Sequence, residues 1–486
     1  MDNLKQKTFR AFAWDFTGKL ADQGIGFFIS IILARLLAPE EFGLLAMVSV
    51  VIALASVFID SGLSMALIQR KEVSEAHYGS VFLFNITIGA LLTILFFSLS
   101  GFIAEFYNRP ELKLIMQVLS FSFIVDSFAR AQSAWLVKQL KFGVITKARI
   151  VALIISGSFG VTLAFMGFGV WALVFQSMMA AVVTNIYITI FSGFRPKLIY
   201  NSYALKELWG FGVKMFLSRI LNTISEQIDR LIIGKIFSPA ILGYYQRAKS
   251  LNGFVIKYTS GSLMSVMFPV LSSVQNDKER YNAIVLKALH VLSFVTFGLV
   301  AFLHLEAEDI IIILFGNKWF PAIEYFKILL LGGYGYPLSS LLVNVLSSKG
   351  KSGKFLKLEI YKQILFFLNI VIGLYFGLIE YLYGYAIVIF IAVLLNIFFA
   401  AKETNILIKN FLLVILKYLV PAFFSNIFID KILLIYCCDF SFHLFRFLSV
   451  SIIYLSIYLF INFIMKNKGF FYIKNEIYSL IRKRIK

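Results

Sequence analysis

Apolar stretches long enough to cross a lipid bilayer follow one another from Gly24 to Met465, separated by short polar turns. A membrane-spanning helix needs roughly 20 mostly apolar residues, and cytoplasmic loops carry the excess of Lys and Arg. The basic residues of this chain collect in every second turn. Only 15% of its residues are charged, against about 25% in a typical soluble chain. The sequence therefore predicts an all-α polytopic membrane protein with almost nothing outside the membrane.

The apolar segments predict about fourteen transmembrane helices. Their expected ranges are 11–37, 43–68, 80–106, 112–137, 146–167, 169–193, 210–236, 240–267, 282–305, 322–347, 357–378, 382–402, 410–429 and 444–465. Turns with basic residues such as Arg70, Lys141 and Lys349 alternate with turns that hold few, so both termini are predicted to be cytoplasmic. The segment 306–321 is then external, and its apolar run suggests partial re-entry into the membrane.

The net charge of +20 would suit a nucleic-acid-binding protein only if the cations formed a basic face on a soluble fold. Here the cations lie at membrane boundaries, where they favour the inner orientation and contact anionic lipid headgroups. No nucleic-acid partner is expected. The two cysteines, Cys437 and Cys438, are adjacent and support neither a disulfide framework nor a Cys metal site. The residues indicate no metal and no cofactor.

A short motif occurs twice along the chain. The first predicted helix ends in Ala38–Gly43 (APEEFG) and the seventh ends in Ser238–Gly243 (SPAILG), and the pairs Ser61-Gly62 and Ser260-Gly261 recur at nearly the same offset. In both copies the proline takes a tolerated position in the first turn of the next helix. Six helices separate the copies, so the two halves share one orientation across the membrane.

The repeat predicts two six-helix lobes related by an axis along the membrane normal. Two more helices follow, and the tail from Gly469 has the pattern of an amphipathic helix lying on the inner leaflet. The expected divisions are an N-terminal lobe at 1–200, a C-terminal lobe at 201–405, two added helices at 406–466 and a basic cytoplasmic tail at 467–486.

Charged residues inside the predicted spans are the clearest candidates for function, because they are costly in lipid and generally face a bundle interior or a wet cavity. On the seventh helix, Arg219, Glu226 and Arg230 fall within a stripe about 40° wide. Guanidinium groups match phosphate oxygens, so a cavity rich in Arg suits an anionic ligand. For each residue the alternative is an ion pair between helices with no substrate role.

Two sets of candidate residues follow from how deep each charged residue lies in its predicted span and from the helix face that it occupies. The predicted substrate-binding cations are Arg219, Arg230, Lys19, Arg130, Lys214, Arg247 and Lys257. The predicted gating or ion-coupling residues are Asp22, Asp60, Asp126, Glu226 and Asp229.

Four motifs occur in order along the chain: Leu36–Gly43 (LLAPEEFG), Asp60–Leu63 (DSGL) leading to Ile68–Arg70, Gly167–Leu173 (GFGVWAL) and Leu314–Trp319 (LFGNKW). With these motifs the chain resembles the polysaccharide transporter branch of the MOP (multidrug/oligosaccharidyl-lipid/polysaccharide) superfamily, the Wzx-like and colanic-acid-exporter-like flippases. The resemblance implies a MATE/Wzx-like fold, with two six-helix lobes around a central cavity and two peripheral C-terminal helices.

The same resemblance implies a function. A polyprenyl-diphosphate-linked oligosaccharide would pass by alternating access across a bacterial inner membrane, for the synthesis of O-antigen, capsule or exopolysaccharide. The implied partners are this lipid-linked oligosaccharide, membrane lipids, and a polysaccharide polymerase with export proteins.

Two alternatives remain open. A cation-coupled multidrug or toxin antiporter of the same fold would need a dominant acidic, aromatic-lined site, whereas cations dominate the charges inside these spans. A membrane glycosyltransferase or polymerase would need a large external loop with paired carboxylates, and no turn is long enough. The sequence thus gives no positive sign of an enzyme and favours a transporter.

Overall fold

The computed structural model describes residues 2–257, 262–436 and 443–485, and every element in this part of the chain is a helix. Eleven of these helices are long and apolar enough to cross a membrane. Helices suit this solvent because each satisfies its own backbone hydrogen bonds, which lipid cannot do. The prediction of an all-helical protein with many spans is therefore confirmed, while the number fourteen and the lobe boundaries stay predictions.

The chain divides into two compact units, Met1–Gly243 and Tyr244–Lys486. In the first unit α8 packs against α1 and α9, α6 packs against α4, and α10 lies against α2 and α3. The helices of this unit are α1 (Asp2–Leu36), α2 (Pro39–Asp60), α3 (Leu63–Gln69), α4 (Glu75–Ser98), α5 (Ser100–Tyr107), α6 (Glu111–Phe128), α7 (Arg130–Lys138), α8 (Phe142–Phe165), α9 (Val170–Phe191), α10 (Ser202–Ile236) and the first residues of α11 (Pro239–Ile256).

The second unit is built around α13, which packs against α19, α21, α15 and α16. Its core is a cluster of buried side chains that includes Leu289, Phe297, Val345, Phe411 and Tyr454. After the rest of α11, its helices are α12 (Ser262–Ser273), α13 (Lys278–Leu305), α14 (Ala307–Phe315), a 3₁₀ turn (Asn317–Trp319), α15 (Ala322–Gly333), α16 (Tyr336–Ser348), α17 (Ser352–Phe376), α18 (Leu378–Thr404), α19 (Ile408–Tyr436), α20 (His443–Ile464) and α21 (Lys468–Ile485).

Several predicted helices are interrupted. The expected helix 43–68 is divided between α2 and α3 because Ser61 and Gly62 both take left-handed backbone conformations, with φ of 42° and 70°. A Cβ atom on Gly62 would lie 2.1 Å from the carbonyl oxygen of Gly212 in α10. Glycine is needed here both for the conformation and for the close approach of the two backbones. Similar breaks divide the expected helices 80–106, 112–137 and 322–347.

The two copies of the repeated motif contact each other within the first unit. A Cβ atom on Gly43 would lie 1.7 Å from the carbonyl oxygen of Pro239, and one on Gly243 would lie 2.0 Å from that of Pro39. Each glycine thus admits the proline turn of the other copy, as small residues do where helices approach closely in membranes. The second pair of the repeat, Ser260-Gly261, lies outside the described residues, as do Cys437 and Cys438.

The segment 306–321, which is predicted to be external, and the tail both contain helices. The apolar run predicted in 306–321 forms α14. The tail forms α21, and its start is fixed because the amide of Gly469 donates to Tyr418 Oη at 2.7 Å. Phe470 and Ile473 pack against the core of the second unit, so part of the apolar face of this helix is used inside the protein. Contact of its remaining surface with the inner leaflet stays a prediction.

Candidate functional site

An ion pair joins α2 to α10 at the centre of the candidate site. Asp60, the last residue of α2, is 5% exposed and accepts from the Nη1 atom of Arg219. The turn at Ser61 and Gly62, held against Gly212, sets the position of this carboxylate. A buried carboxylate needs such a partner, because an unpaired charge in a low-dielectric interior is strongly unfavourable. The Arg219 side chain nevertheless stays 41% exposed, so part of its guanidinium remains accessible to a ligand.

A second guanidinium lies three helical turns further along α10. The Nη1 atom of Arg230 donates to Gln227 Oε1 at 2.9 Å, and its Nε atom is buried with no hydrogen-bond partner among the described residues. Asp229 is buried and accepts from the backbone amide of Arg230 at 2.9 Å. Glu226 is exposed. Arg230 thus has an unused donor, and the carboxylate beside it is turned into the protein.

The predicted stripe on α10 is therefore a partly open face. Lys214 and Glu226 are exposed, and Arg219 and Arg230 are partly buried. Gly212 and Ile233, which are buried, lie on the same side of the helix as the stripe, so the stripe is on the side of α10 that packs against α2 and α3. These charges also explain why α10 is not among the eleven apolar spans of the described chain. The structure leaves this row of charged side chains on the surface of the first unit.

Asp126 and Arg130 lie near one another at the junction of α6 and α7, and both are partly buried. Asn185 of α9 joins this junction by donating from Nδ2 to Asp126 Oδ1 at 3.2 Å and accepting from the backbone amide of Ala129 at 3.1 Å. Sequence reasoning overlooked Asn185 because its side chain is uncharged. The available signal was an amide within the otherwise mainly apolar stretch of α9, where such a group needs a partner.

The candidates on α1 pair locally. Lys19 Nζ contacts Asp15 Oδ2 at 2.6 Å, one helical turn away. Lys19 is exposed and Asp22 is partly buried. In the described chain the partner of Lys19 is thus on its own helix, and its charge remains accessible to solvent.

The two candidates in the second unit have different surroundings. Arg247 is 7% exposed, and its guanidinium carbon lies 4.7 Å from the ring centre of Phe315 and 5.1 Å from that of Trp319. Such stacking on aromatic faces stabilises a buried guanidinium. Lys257 is exposed. Arg247 therefore contributes to packing of α11 against the segment after α14, and only Lys257 is open to solvent.

A polar network anchors the start of α10, and of its residues the sequence singled out only Arg70 and Lys138, as basic residues of turns. Glu207 Oε2 lies 2.7 Å from Arg70 Nη2 and 2.9 Å from His77 Nε2. The hydrogen bond with His77, assisted by the charge of Arg70, lowers the pKa of Glu207. Lys138 donates to the carbonyl oxygen of Leu67 at 3.0 Å, at the end of α3. The ion pair with Asp60 and this network thus fix α10 at two points.

The second unit contains a cavity of about 430 Å³ beside the end of α13. None of the candidates predicted from sequence lines it. Its polar and aromatic lining residues are His304, Glu308, Phe320, Glu324, Lys327 and Tyr383.

The sequence from residue 32 to residue 324 matches the family described as "Polysaccharide biosynthesis protein". This match covers more than half of the chain. The chain belongs to this family.

The Escherichia coli K12 lipopolysaccharide biosynthesis protein WzxC is 26% identical to this family member over 384 residues, which are 76% of each chain. The Bacillus subtilis teichuronic acid biosynthesis protein TuaB is 25% identical over 300 residues, 61% of this chain and 62% of TuaB. The succinoglycan biosynthesis transport protein ExoT of Rhizobium meliloti is 25% identical over 319 residues, 65% of this chain and 64% of ExoT.

Two solved structures share the fold of this polysaccharide biosynthesis protein. An inward closed form of the lipid II flippase MurJ aligns with a TM-score of 0.72 and 18% identity, covering 93% of this chain and 98% of its own. An inward-facing MATE-family transporter of the MOP superfamily aligns with a TM-score of 0.60 and 14% identity, covering 79% and 94%. The expected MATE-like fold is thereby confirmed, and the predicted resemblance to polysaccharide transporters is confirmed by the family match and by WzxC and ExoT.

Proposed function

We propose that this protein flips a polyprenyl-diphosphate-linked oligosaccharide across the membrane for surface polysaccharide synthesis, acting as a transporter and not as an enzyme. The observation that carries the proposal is the partly open charged face of α10, where two arginines occupy the middle of a helix in a chain otherwise built from apolar spans. The names of WzxC, TuaB and ExoT support a polysaccharide precursor as the cargo.

Arg219 and Arg230 are the proposed diphosphate ligands. A guanidinium presents several N–H donors in a fixed plane that matches phosphate oxygens. Asp60 holds Arg219 by one nitrogen and leaves part of its side chain accessible, while the Arg230 side chain is partly exposed and is held by Gln227. Lys214, exposed on the same helix, adds a mobile positive charge. The polyprenyl tail remains in lipid throughout.

Other charged residues have supporting roles in this proposal. Lys19, Arg130 and Lys257 assist the two arginines as further cations along the path. The acidic residues proposed to act in gating or ion coupling are Asp22, Asp126, Glu226 and Asp229, whereas Asp60 positions Arg219. Arg247 is not part of the proposed site, because its guanidinium is buried against two aromatic rings.

The topology belongs to the same proposal. Fourteen spans in two six-helix lobes and two peripheral helices would place both termini in the cytoplasm of a bacterium and the protein in its inner membrane. The alternation of basic and non-basic turns supports this orientation. A polysaccharide polymerase and export proteins are the proposed partners that would receive the flipped substrate.

The test is a leaflet-resolved flipping assay in proteoliposomes that contain a defined polyprenyl-diphosphate-linked oligosaccharide. Arg219→Ala and Arg230→Ala should each lower the flipping rate roughly 10- to 100-fold, the range expected for losing a hydrogen bond to a charged group. Lys206→Ala, an exposed residue near the start of the same helix, should leave the rate unchanged. The same variants in cells should show a matching loss of surface polysaccharide.

Asp60→Asn separates substrate binding from structural pairing. This variant keeps the Arg219 cation and removes its anionic partner, whereas Arg219→Ala leaves the Asp60 carboxylate buried and unpaired. Flipping retained by Asp60→Asn but lost by Arg219→Ala supports the diphosphate role. Equal losses in both, with lowered amounts of folded protein, would make the pair structural and refute the assignment. Unchanged flipping in Arg219→Ala and Arg230→Ala together would refute it as well.

A further inference from the structure

Two carboxyl groups are buried together at the corner where α13 ends and α14 begins. Glu306 and Asp309 are each 2% exposed. The backbone of Glu306 is fixed on both sides, because its amide donates to Phe302 at 3.0 Å and its carbonyl accepts from Ile310 at 2.9 Å. Its Oε2 atom is buried and has no hydrogen-bond partner in the described part of the chain. The corner therefore contains a buried carboxyl oxygen to which no described group donates a hydrogen bond.

Asp309 contacts a histidine and an arginine at this corner. Its Oδ1 atom lies 2.7 Å from His443 Nδ1 and its Oδ2 atom lies 3.3 Å from Arg446 Nε, both at the start of α20. Asp309 therefore joins α14 to α20 through two contacts. Among the described residues Glu306 forms no such pair, which leaves two acidic groups facing one arginine and one histidine.

Other charged and titratable groups lie on the elements next to this corner. Those whose side chains the structure describes include His304 on α13, Glu308 on α14, Lys318 on the 3₁₀ turn, and Glu324 and Lys327 on α15. His304, Glu308, Glu324 and Lys327 line the adjacent open cavity, where water screens them.

A helix N-terminus favours acidic residues, which accounts for Glu308 at the partly exposed start of α14. It does not account for Glu306, because a carboxylate attracted by the helix would keep its oxygens near donors or water. Two adjacent carboxyl groups that share a site cannot both ionise at low cost, so one of them retains a proton. Burial, helped by the nearby charge of Asp309 and opposed by Arg446, raises the pKa of Glu306 to about 8.

We propose that Glu306 and Asp309 form a proton-binding site at the end of the second unit that our topology places outside the cell, and that its proton keeps α20 docked on α14. With the proton on Glu306, Asp309 is the one anion of this pair of carboxyl groups and is matched by Arg446. When the proton leaves to bulk water, a second negative charge remains in the buried corner, and the contact between α14 and α20 loosens.

The sign of the pH dependence follows from linkage. The pKa of Glu306 in the folded state lies above its ordinary value of 4.5, so the docked state binds more protons than the undocked state. Raising the pH from about 5 to about 8 therefore disfavours docking by up to about tenfold per pH unit, and the effect levels off above that range.

Infrared difference spectroscopy on the full chain in nanodiscs tests the site directly, because a protonated carboxyl has a carbonyl band separate from that of a carboxylate. We expect a protonated-carboxyl band that disappears with a midpoint near pH 8 and is absent in Glu306→Gln. The matched control Glu308→Gln, two residues away and facing the open cavity, should keep the band and its midpoint. A band that persists in Glu306→Gln, or a midpoint below about pH 5, would overturn the proposal.

Two further measurements cover other outcomes. In Asp309→Asn the midpoint of Glu306 should fall, because Arg446 loses its competing partner; an unchanged midpoint would refute the coupled pair. Hydrogen exchange at the backbone amides of α14 and the first turns of α20 should rise with pH beyond the intrinsic rate in the native chain, and Glu306→Gln should abolish this excess.

Discussion

Because the two copies of the repeated motif contact each other, replacing the glycine of either copy should lower the stability of the protein. In Gly43→Ala the new methyl carbon would lie 1.7 Å from the carbonyl oxygen of Pro239, although ordinary contact begins at 3.4 Å. The backbones must separate by about 1.7 Å, and forcing atoms into a packed interface costs roughly 1–3 kcal/mol. Replacing a helical glycine returns about 1 kcal/mol in helix propensity. Because the obstacle is backbone, the upper end applies, and we expect a net loss of about 2 kcal/mol.

Gly243→Ala should have a similar effect, because its methyl carbon would lie 2.0 Å from the carbonyl oxygen of Pro39. The matched control is Gly210→Ala, since Gly210 lies within α10 and has no atom within 4 Å of an added Cβ. That substitution should stabilise the protein by about 1 kcal/mol. The assay is the melting temperature of purified protein in micelles, which should fall for the first two variants and rise slightly for the control.

A double-mutant cycle decides whether the contact is truly shared. Once one methyl group has separated the two turns, the second meets less resistance, so the double variant Gly43→Ala/Gly243→Ala should lose much less than the sum of the single losses. Additive losses would mean that the two turns do not touch in this way. A melting temperature that rises in Gly43→Ala, as in the control, would refute the reasoning outright.

Three further substitutions test individual contacts. In the native chain the contact of Glu207 with His77 should stabilise the start of α10 above pH 4.5, and this stabilisation should be lost as the pH falls through the lowered pKa of Glu207. In Glu207→Gln the stability of the start of α10 should no longer change over this pH range. Amide hydrogen exchange in α10 measures both. Asn185→Ala should lower the free energy of unfolding by roughly 1–3 kcal/mol, because Asp126 and a backbone amide lose their partner. Tyr418→Phe should cost about 1 kcal/mol and speed amide exchange at the start of α21.

Each of these expectations has an outcome that would contradict it. Acid dependence that persists in Glu207→Gln would place the titrating group elsewhere. An unchanged melting temperature in Asn185→Ala would mean that water replaces the amide at the junction of α6 and α7. Uniformly faster exchange throughout the second unit in Tyr418→Phe would show general destabilisation in place of local release of α21.

Much of the candidate site was predictable residue by residue, but its partnerships were not. The stripe of Arg219, Glu226 and Arg230 could be recognised because charges are conspicuous in apolar helices. The pairing of Arg219 with Asp60, 159 positions earlier in the chain, depends on how α10 lies against the end of α2. The burial of Arg247 against aromatic rings likewise depends on tertiary packing, so sequence depth alone placed it among the accessible cations.

The sequence by itself determined that the protein is a bundle of membrane-spanning helices with short turns. The reason is local: lipid offers no hydrogen-bond partners, so each apolar stretch of sufficient length must form a helix. Tertiary structure alone decided where those helices break, which charges neutralise each other and which remain available. These outcomes depend on contacts between residues that are distant in the chain. Examples are the approach of Gly62 to Gly212, and the basic groups near Glu306 that pair with Asp309. Periodicity and composition contain no information about such distances.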